Sequence, residues 1–341
     1  IPNSNTSAVI QIGNIQKGGC GKERSRAKDL VYESLEQGRL DVLDKLMEPN
    51  DDGVIIISST EGGTGSGSAP VIAKYFKDVI ETQVHIIAIT GFEEDVRGIE
   101  NTITFFNELE EEYSIEIISN KKFLEEARGN KLRAEKLANE EIANRLLVYF
   151  GGIIQASEQN IDETDLYKLD TTPGYMTIET ASLDKIKNIT QFNEVVSNMI
   201  DNSKSLDVEN PGCKRLGVIL SLQNKTKDYI DYSFSVIKER YGIPYELFQH
   251  IQNSAEDSIS IIVSGMRMPV KELEETLTKF KEEFNKVNKT HDDFFTNKLD
   301  ISSSGIFDLP KDKKSQNDLI DKKKMFLKQE NKKEKSIEEK Y

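Results

Sequence analysis

Segment 61–67 reads Glu61-Gly62-Gly63-Thr64-Gly65-Ser66-Gly67. It follows a β-branched run at 53–59 and precedes a helical pattern that starts near Ser68, with Pro70 in its first turn. Glycines allow the backbone to turn tightly and to bring several N–H groups close to an anion, and the N-terminus of the next helix adds partial positive charge. The sequence therefore predicts a loop that cradles a phosphate, formed by Gly62, Gly63, Thr64, Gly65, Ser66 and Gly67.

The sequence around this loop alternates strand-like and helix-like segments, which is typical of a parallel sheet flanked by helices. Strands are predicted at 9–15, 53–59, 84–90 and 114–119, and helices at 23–47, 68–79, 95–112 and 130–155. The last helix is long and apolar on one side, so we expect it to lie against the sheet or to bridge to a second domain. That side carries Leu132, Leu137, Ile142, Leu146 and Phe150.

Beyond residue 169 the predicted elements change to those of a smaller α+β domain. Strands are predicted at 174–180, 215–222, 245–250 and 258–266, and helices at 190–202, 227–241 and 270–287. After about residue 288 the regular apolar spacing ends, and the remainder is predicted to be a Lys-rich, largely disordered tail. The predicted division is 1–155 for the domain that carries the phosphate loop, 156–170 for a connecting loop, 171–288 for the α+β domain and 289–341 for the tail.

A second chemical signal lies between the two predicted domains. The segment Asn160-Ile161-Asp162-Glu163-Thr164-Asp165 has the pattern N-x-D-x-x-D and follows the long helix. Taken alone, an Asx-rich segment is usually a turn. Carboxylates beside a terminal phosphate can instead orient an attacking water and help to hold a metal ion. The presence of both this segment and the glycine run in one chain favours the chemical role.

Together the two segments resemble those of the tubulin/FtsZ superfamily. The glycine run and Ser68-Ala69-Pro70 are similar to its signature loop GGGTGTG and the small-small-Pro helix start, with Glu61 where that family usually has its first Gly. Segment 160–165 is similar to the loop with which a family member reaches into the nucleotide pocket of the neighbouring subunit. The resemblance extends over about 10–287, and it implies a Rossmann-like α/β GTPase domain joined by a long central helix to a smaller α+β domain.

The resemblance also implies roles for individual residues. Asp162 and Asp165 would be the catalytic acids of GTP hydrolysis and Asn160 a supporting contact, with GTP or GDP as the nucleotide and Mg²⁺ as its metal ion. Asn120 resembles the family residue that contacts ribose or base, and Asn139 a guanine-reading position. An amide can pair with both the carbonyl and the N–H of a guanine edge. A capping or solvent-exposed Asn is the alternative at both positions.

The loop Gly18-Gly19-Cys20-Gly21 has two interpretations within this resemblance. It is either the first phosphate loop of a shortened domain or the later loop that senses the terminal phosphate. We prefer the second, because Gly-Cys-Gly-Lys-Glu-Arg followed by one helix and the 53–59 strand is similar to that later loop in TubZ-type proteins; the sequence would then be N-terminally incomplete. The cluster Lys22, Arg24 and Arg26 is expected to be a solvated helix start or, beside a terminal phosphate, a reporter of nucleotide state.

Composition narrows the function classes further. The net charge of −14 argues against a body that coats nucleic acid, because phosphate binding needs clustered Lys and Arg. No apolar run approaches the roughly 18–20 residues that span a bilayer, so we expect no membrane insertion. Cys20 and Cys213 form neither a disulfide framework nor a metal-binding motif, which fits a reducing cytoplasm. The resemblance implies that this is the cytoplasm of a bacterial cell.

Within the superfamily the sequence is most similar to the TubZ-type partition tubulins. The resemblance implies a head-to-tail filament that moves plasmid or phage DNA through a DNA-binding adaptor on the C-terminal tail, so DNA is an indirect partner. Residues 311–341 carry eleven Lys and seven acidic residues, which fits adaptor docking and equally a solvated extension. The alternatives are an FtsZ-like division GTPase, with 306–310 as a poor version of the terminal adaptor-binding peptide, and a nucleotide-binding interaction protein that does not hydrolyse GTP.

Overall fold

The computed structural model describes residues 10–13, 18–45, 47, 51, 53–109, 112–149, 163–209, 211–223 and 230–287. Residues 10–13, the described part of the strand predicted at 9–15, are not in a strand. Ile10 and Ile12 instead pack, partly buried, against the main core. Within the described ranges, no helix has the length and apolar content that crossing a membrane requires.

The described residues form one seven-stranded sheet in the order β1-β2-β3-β4-β7-β5-β6. Pairs β1–β2, β2–β3, β3–β4 and β5–β6 are parallel, and β7 is antiparallel to both β4 and β5. The strands are β1 (Gly53–Ser59), β2 (Gln83–Thr90), β3 (Ser114–Ser119), β4 (Gly174–Ser182), β5 (Arg215–Leu222), β6 (Glu246–Asn253) and β7 (Ser258–Met266). The mostly parallel order confirms the predicted α/β class.

Eight α-helices connect or cover these strands within the described residues. They are α1 (Arg24–Glu36), α2 (Gly63–Tyr75), α3 (Val96–Glu108), α4 (Lys131–Tyr149), α5 (Glu163–Asp170), α6 (Ile189–Asp201), α7 (Ser235–Tyr241) and α8 (Val270–Val287). The helix predicted at 23–47 is shorter than expected, because α1 ends at Glu36 and turns follow. The helix predicted at 68–79 begins five residues earlier, at Gly63, and continues as a π-helical turn at Phe76–Ile80.

The two halves of the chain share this sheet through a short ladder. Strands β3 and β4 pair over three positions, from Ser114 with Gly174 to Glu116 with Met176. By comparison, β1 and β2 pair over seven positions. The predicted division into two domains stays a prediction, and the β3–β4 ladder is where the predicted domains meet in the sheet.

The core lies on both faces of the parallel strands. Along β2, Ile86 and Ala88 join the large cluster that also contains side chains of α2 and α3, whereas Ile87 joins a smaller cluster with α4. This division follows from the two-residue period of a strand, which sends alternate side chains to opposite faces. A sheet covered on both faces needs apolar residues throughout, and β2 is buried along nearly its whole length.

The face of α4 that meets the sheet agrees with the predicted one at Leu137, Ile142 and Leu146 and differs from it at Leu132. Leu132, predicted to be on the apolar side, is 79% exposed. The buried positions are Ala134, Ala138 and Ile142, which repeat every fourth residue and belong to the cluster with Ile87. Small side chains let the helix lie close to the sheet, and this close packing decides which face is buried.

Arg145 continues this buried face of α4 and is 2% exposed. Its guanidinium is hydrogen-bonded to Glu116 of β3, and its Nη2 lies 3.7 Å from Oε1 of Glu179 in β4. It also donates to Glu141 at 2.7 Å and to Ser205 at 2.8 Å. Burial opposes the charge, but the carboxylates of Glu116, Glu179 and Glu141 raise the pKa of Arg145 above its usual value. One cation therefore connects α4 to the two strands of the short ladder.

Replacing Arg145 with Met should destabilise the fold strongly. The substitution keeps much of the volume but leaves the buried carboxylates of Glu116 and Glu179 without their partner, a loss of about 3–5 kcal/mol. Arg133→Met is the matched control, because Arg133 is exposed on the same helix and should change stability by less than about 0.5 kcal/mol. Urea unfolding of both variants measures the difference, and equal stabilities would refute a structural role for the cluster.

Candidate functional site

The predicted phosphate loop is largely the first turns of α2. Gly62 is the N-cap residue, with φ −76° and ψ 163°, and the helix begins at Gly63. The first N–H groups of a helix have no partner inside the helix, and Gly62 has no side chain with which to cap them. Unpaired amides combined with the positive end of the helix dipole attract an anion. The prediction of a cradle therefore keeps its physical basis, although the loop is shorter than expected.

Close packing of α1 against α2 accounts for two of the glycines. A Cβ atom on Gly63 would lie 2.6 Å from the backbone N of Glu23, and one on Gly67 would overlap the carbonyl oxygen of Arg24. Gly63 and Gly67 are one helical turn apart, so both lie on the side of α2 that meets the start of α1. Glycine at these positions allows the two backbones to approach closely.

Pro70 explains an unusual buried contact between these helices. Proline has no N–H, so the carbonyl oxygen of Ser66 lacks its normal partner four residues along the helix. Arg24 supplies the missing donors, because its Nε and Nη2 lie 3.2 and 2.7 Å from that oxygen. Glu108, at the end of α3, accepts two further hydrogen bonds from the same guanidinium. The expectation of a solvated side chain is wrong for Arg24, which is buried, and is met by Arg26, which is exposed.

Two other segments are tied to the start of α2. The N–H of Cys20 donates to Oγ1 of Thr64 at 3.3 Å, which brings Gly18, Gly19, Cys20 and Gly21 to the cradle. The side-chain amide of Asn101, in α3, donates to the carbonyl oxygens of Lys22 at 3.1 Å and Glu61 at 3.0 Å. Asn101 is buried, so its amide is fixed between the two carbonyls. Three segments, around Cys20, Glu61 and Asn101, are thus joined beside the unpaired amides of α2.

Two polar atoms at the same edge of the sheet are buried without a partner. Thr90 ends β2 and Asn120 directly follows β3, so both lie at the carboxyl edge that also carries the cradle. Within the described part of the chain, Oγ1 of Thr90 and Oδ1 of Asn120 have no hydrogen-bond partner. Buried polar atoms are nearly always paired, so a ligand is a natural partner for these two. In parallel sheets ligands usually bind at this edge.

Residues 1–128 match the model of the tubulin/FtsZ family GTPase domain. This part of the chain is therefore similar to that GTPase domain. It is 25% identical over 194 residues to the tubulin-like protein CetZ1 of Haloferax volcanii, and the match covers 51% of this chain. The matched part is 45% of that relative's length.

Solved structures confirm the fold of the GTPase domain and of the part that follows it. TubZ of Clostridium botulinum phage c-st superposes with a TM-score of 0.60 at 18% identity, covering 77% of this chain and 82% of that protein. A GTPγS-form protofilament of TubZ from Bacillus thuringiensis serovar israelensis gives a TM-score of 0.66 at 15% identity, covering 82% and 81%. The resemblance to the tubulin/FtsZ superfamily is confirmed.

The acidic helix α5 ends at the opposite edge of the sheet from the cradle of the GTPase domain. Its last residue, Asp170, lies 3.2 Å from Nδ1 of His85, near the start of β2. Burial lowers the pKa of His85 to about 3, so the imidazole is neutral near pH 7. Burial and the charge of Glu116 raise the pKa of Asp170 to about 7. From His85 to Thr90 the strand covers roughly 15–20 Å, which separates the two edges.

The predicted site residues fall into three groups. The carboxyl edge of the sheet carries the glycines, Thr64 and Asn120, but Ser66 is buried and its hydroxyl donates to the carbonyl of Gly62. Asn139 is exposed on α4. Asp165 lies on α5, 3.7 Å from Nζ of Lys168, whereas Asn160 and Asp162 lie outside the described residues. Sequence reasoning missed Asn101, because a mid-helix Asn carries no motif.

Replacing Asn101 with Ala should loosen the three joined segments of the GTPase domain. The carbonyls of Lys22 and Glu61 would lose their shared donor in a buried position, at a cost of about 1–3 kcal/mol. Asn198→Ala is the control, because Asn198 is exposed on α6 and should be near neutral. Hydrogen exchange should rise at segments 18–23 and 61–67 in the Asn101 variant; unchanged exchange there would contradict the role assigned to Asn101.

Proposed function

We propose that this protein binds GTP and hydrolyses it within a head-to-tail filament of identical chains. In this proposal Asp162 and Asp165 of one copy complete the cradle of the next copy, with Asn160 as a supporting contact. The observation that carries the proposal is the placement of α5 and the cradle at opposite edges of the sheet. Groups on opposite edges are brought together when two copies stack in the same orientation, and repetition of such a contact gives a filament.

The residues at the carboxyl edge fit a nucleotide. The unpaired amides at the start of α2, those of Gly62, Gly63, Thr64 and Gly65, would hold phosphate oxygens, while Ser66 and Gly67 continue the helix behind them. The loop of Gly18, Gly19, Cys20 and Gly21 would close over the terminal phosphate. Asn120, with its unpaired buried oxygen, would meet the ribose or base, and we propose Asn139 as a second base contact. Mg²⁺ typically binds one or two carboxylates and phosphate oxygens, so we propose that it enters with the nucleotide.

The chemistry assigned to the protein is positioning and electrostatics. GTP supplies a terminal phosphoryl group whose transfer to water needs an oriented nucleophile and stabilised negative charge. The helix start and the surrounding amides supply fixed positive potential. The carboxylates of Asp162 and Asp165 would orient the water by accepting its hydrogen bonds. Neither half of this site is sufficient alone, which explains why hydrolysis would follow assembly.

The cargo is proposed from the resemblance and the relatives. The TubZ of Bacillus thuringiensis has been solved as a protofilament, and another TubZ relative comes from a phage. We propose that the present protein moves plasmid or phage DNA in the cytoplasm, through an adaptor that binds residues 289–341. The acidic net charge of the whole chain supports an indirect rather than a direct contact with DNA.

Replacing Gly62 with Asp should stabilise the protein and weaken nucleotide binding. The N-cap dihedrals suit Asp, and a Cβ there has open space around it. The new carboxylate would cap the unpaired amides, adding about a few tenths of a kcal/mol as a cap and about 0.3–1 kcal/mol through the helix dipole, and would compete with phosphate for them. Calorimetry should show a higher unfolding temperature, and titration with fluorescent GDP a weaker affinity. Unchanged affinity in the stabilised variant would contradict the proposed cradle.

The shared site predicts complementation between two inactive variants. Asp162→Asn with Asp165→Asn should lower GTP turnover about 10²–10⁴-fold while nucleotide still binds. Mixing this variant with Gly62→Asp should restore part of the turnover, because an intact cradle can then meet intact acids from another copy.

Two controls accompany this complementation experiment. Pelleting verifies that both variants enter the polymer, and wild-type turnover should show a threshold protein concentration. Absence of recovery in a mixed polymer would contradict the shared site. Absence of phosphate release from wild-type polymer would favour a protein that binds nucleotide without hydrolysing it.

A further inference from the structure

The geometry points to Glu61 as a positioning residue that fixes segment 91–98 as one wall of the nucleotide site. This inference rests on the proposed function and deepens it. Glu61 stands where the tubulin/FtsZ signature usually has Gly, so the sequence alone places a negative charge beside an anion site without compensation. In the structure, the Glu61 carboxylate lies against segment 91–98 and accepts a hydrogen bond from its backbone.

The side chain of Glu61 occupies a slot between two glycines of the neighbouring segment. A Cβ atom on Gly91 would overlap its carboxylate, and one on Gly98 would lie 3.2 Å from its carboxyl carbon. Both positions lack a side chain, which leaves room for the carboxylate against the backbone. The two glycines and the Glu therefore form one complementary unit, and neither is accounted for by a turn requirement, since neither glycine has a positive φ.

A hydrogen bond joins the carboxylate to the backbone inside this slot. The N–H of Glu93 donates to Oε1 of Glu61 at 2.9 Å. Glu93 has φ 54°, in the left-handed region that residues with a side chain seldom adopt. Such a conformation persists only where the surroundings hold it, and strained residues of this kind cluster at functional sites. The Glu61 carboxylate is the acceptor that holds the amide of Glu93 in place.

The loop that contains Lys22 is also strained and is also held by hydrogen bonds. Lys22 also has a left-handed φ, of 65°, and its carbonyl accepts from Asn101, which binds the backbone carbonyl of Glu61 as well. Lys22 pairs with Asp95 across the two loops. Glu61 therefore contributes its backbone to one strained loop and its side chain to the other. Removing the side chain should release segment 91–98 alone.

The charge of Glu61 is partly neutralised where it lies. Burial, with the nearby carboxylates of Asp95 and Glu93, raises the pKa of this carboxyl above its usual value, and the Glu93 amide and the Lys22 ammonium offset only part of that rise. The carboxylate oxygen is thus committed to a fixed donor in the next segment, which reduces the conflict with a bound phosphate. What the site requires at this position is an acceptor oxygen of the right length, and Gln supplies one as well as Glu does.

Four variants of the full chain test the inference: Glu61→Ala, Glu61→Gln, Gly91→Ala and the double variant Glu61→Ala with Gly91→Ala. The probe is fluorescent GDP, with its dissociation constant and off-rate measured by stopped flow. Thermal unfolding is recorded in parallel. Hydrogen exchange at 91–98 reports whether the wall itself has loosened.

Glu61→Ala should weaken GDP binding about fivefold, the effect of one lost hydrogen bond, and should raise exchange at 91–98. Glu61→Gln should bind within about twofold of wild type, because it keeps the acceptor. Gly91→Ala should match Glu61→Ala, because the new methyl group displaces the flexible carboxylate from its slot. The double variant should show no further loss, since both single changes remove the same contact.

Three results would overturn the positioning role. They are additive losses in the double variant, a Gln variant as weak as the Ala variant, and wild-type affinity in Glu61→Ala. If wild type binds GDP and Glu61→Ala binds it equally well, the inference fails and the proposed function stands. If the folded wild-type chain binds neither GDP nor GTP, the proposed function itself fails. Equal unfolding temperatures with different affinities would separate positioning from a loss of folding.

Discussion

The carbonyl oxygen of Ser66 has no amide donor within its own helix, because the residue four positions on is Pro70. Leaving that oxygen buried and unpaired would be costly, and Arg24 satisfies it from the neighbouring helix. The close approach of the two backbones, made possible by Gly63 and Gly67, is what brings the guanidinium within reach. The helix start that carries the unpaired amides is thereby fixed against α1 and, through Glu108, against α3.

The same strategy recurs at the centre of the molecule with a second buried arginine. Arg145 lies between carboxylates of β3 and β4 as Arg24 lies between α2 and α3. Each cation satisfies groups from two elements that are distant in sequence, so each specifies one arrangement of those elements. Such buried pairs are poor sources of net stability, but their geometry penalises any alternative packing. The candidate site and the β3–β4 ladder therefore each depend on a buried arginine and its carboxylate partners.

Much of the fold could be predicted from the sequence, and the strands whose bounds were predicted correctly share one feature. The bounds of β1, β3, β5 and β7 follow β-branched runs that end at turn residues, and these strands match the prediction. The start of α2 was predicted five residues late, because Gly has poor helix propensity and tertiary packing overrides it here. The buried face of α4 was predicted correctly at Leu137, Ile142 and Leu146, whereas Ala134 and Ala138 were missed because they carry little hydrophobic signal and Leu132 was included because it carries much.

The candidate site was less predictable than the fold. The glycine run marks the cradle, but nothing in the sequence pairs Arg24 with Ser66, Asn101 with two carbonyls, or Glu61 with Gly91 and Gly98. These contacts join residues about 30–80 positions apart, and no local periodicity encodes them. The N-x-D-x-x-D segment remains a prediction, because only Glu163, Thr164 and Asp165 of it lie in the described residues.

The three-position ladder between β3 and β4 has a mechanical meaning for a polymer. In a head-to-tail chain of such molecules, tension would enter at the carboxyl edge of β1–β3 and leave through the elements beside β4 and β5. Part of it would pass across that ladder, and part through other contacts between the two halves, such as the hydrogen bond from the N–H of Ser119 to the carbonyl of Lys204 and the ion pair of Lys281 with Glu100. The ion pairs of Arg145 with Glu116 and Glu179 bridge the same two strands and reinforce the ladder. The β3–β4 line would therefore contribute to the bending flexibility of the polymer, in addition to the flexibility of the contacts between subunits.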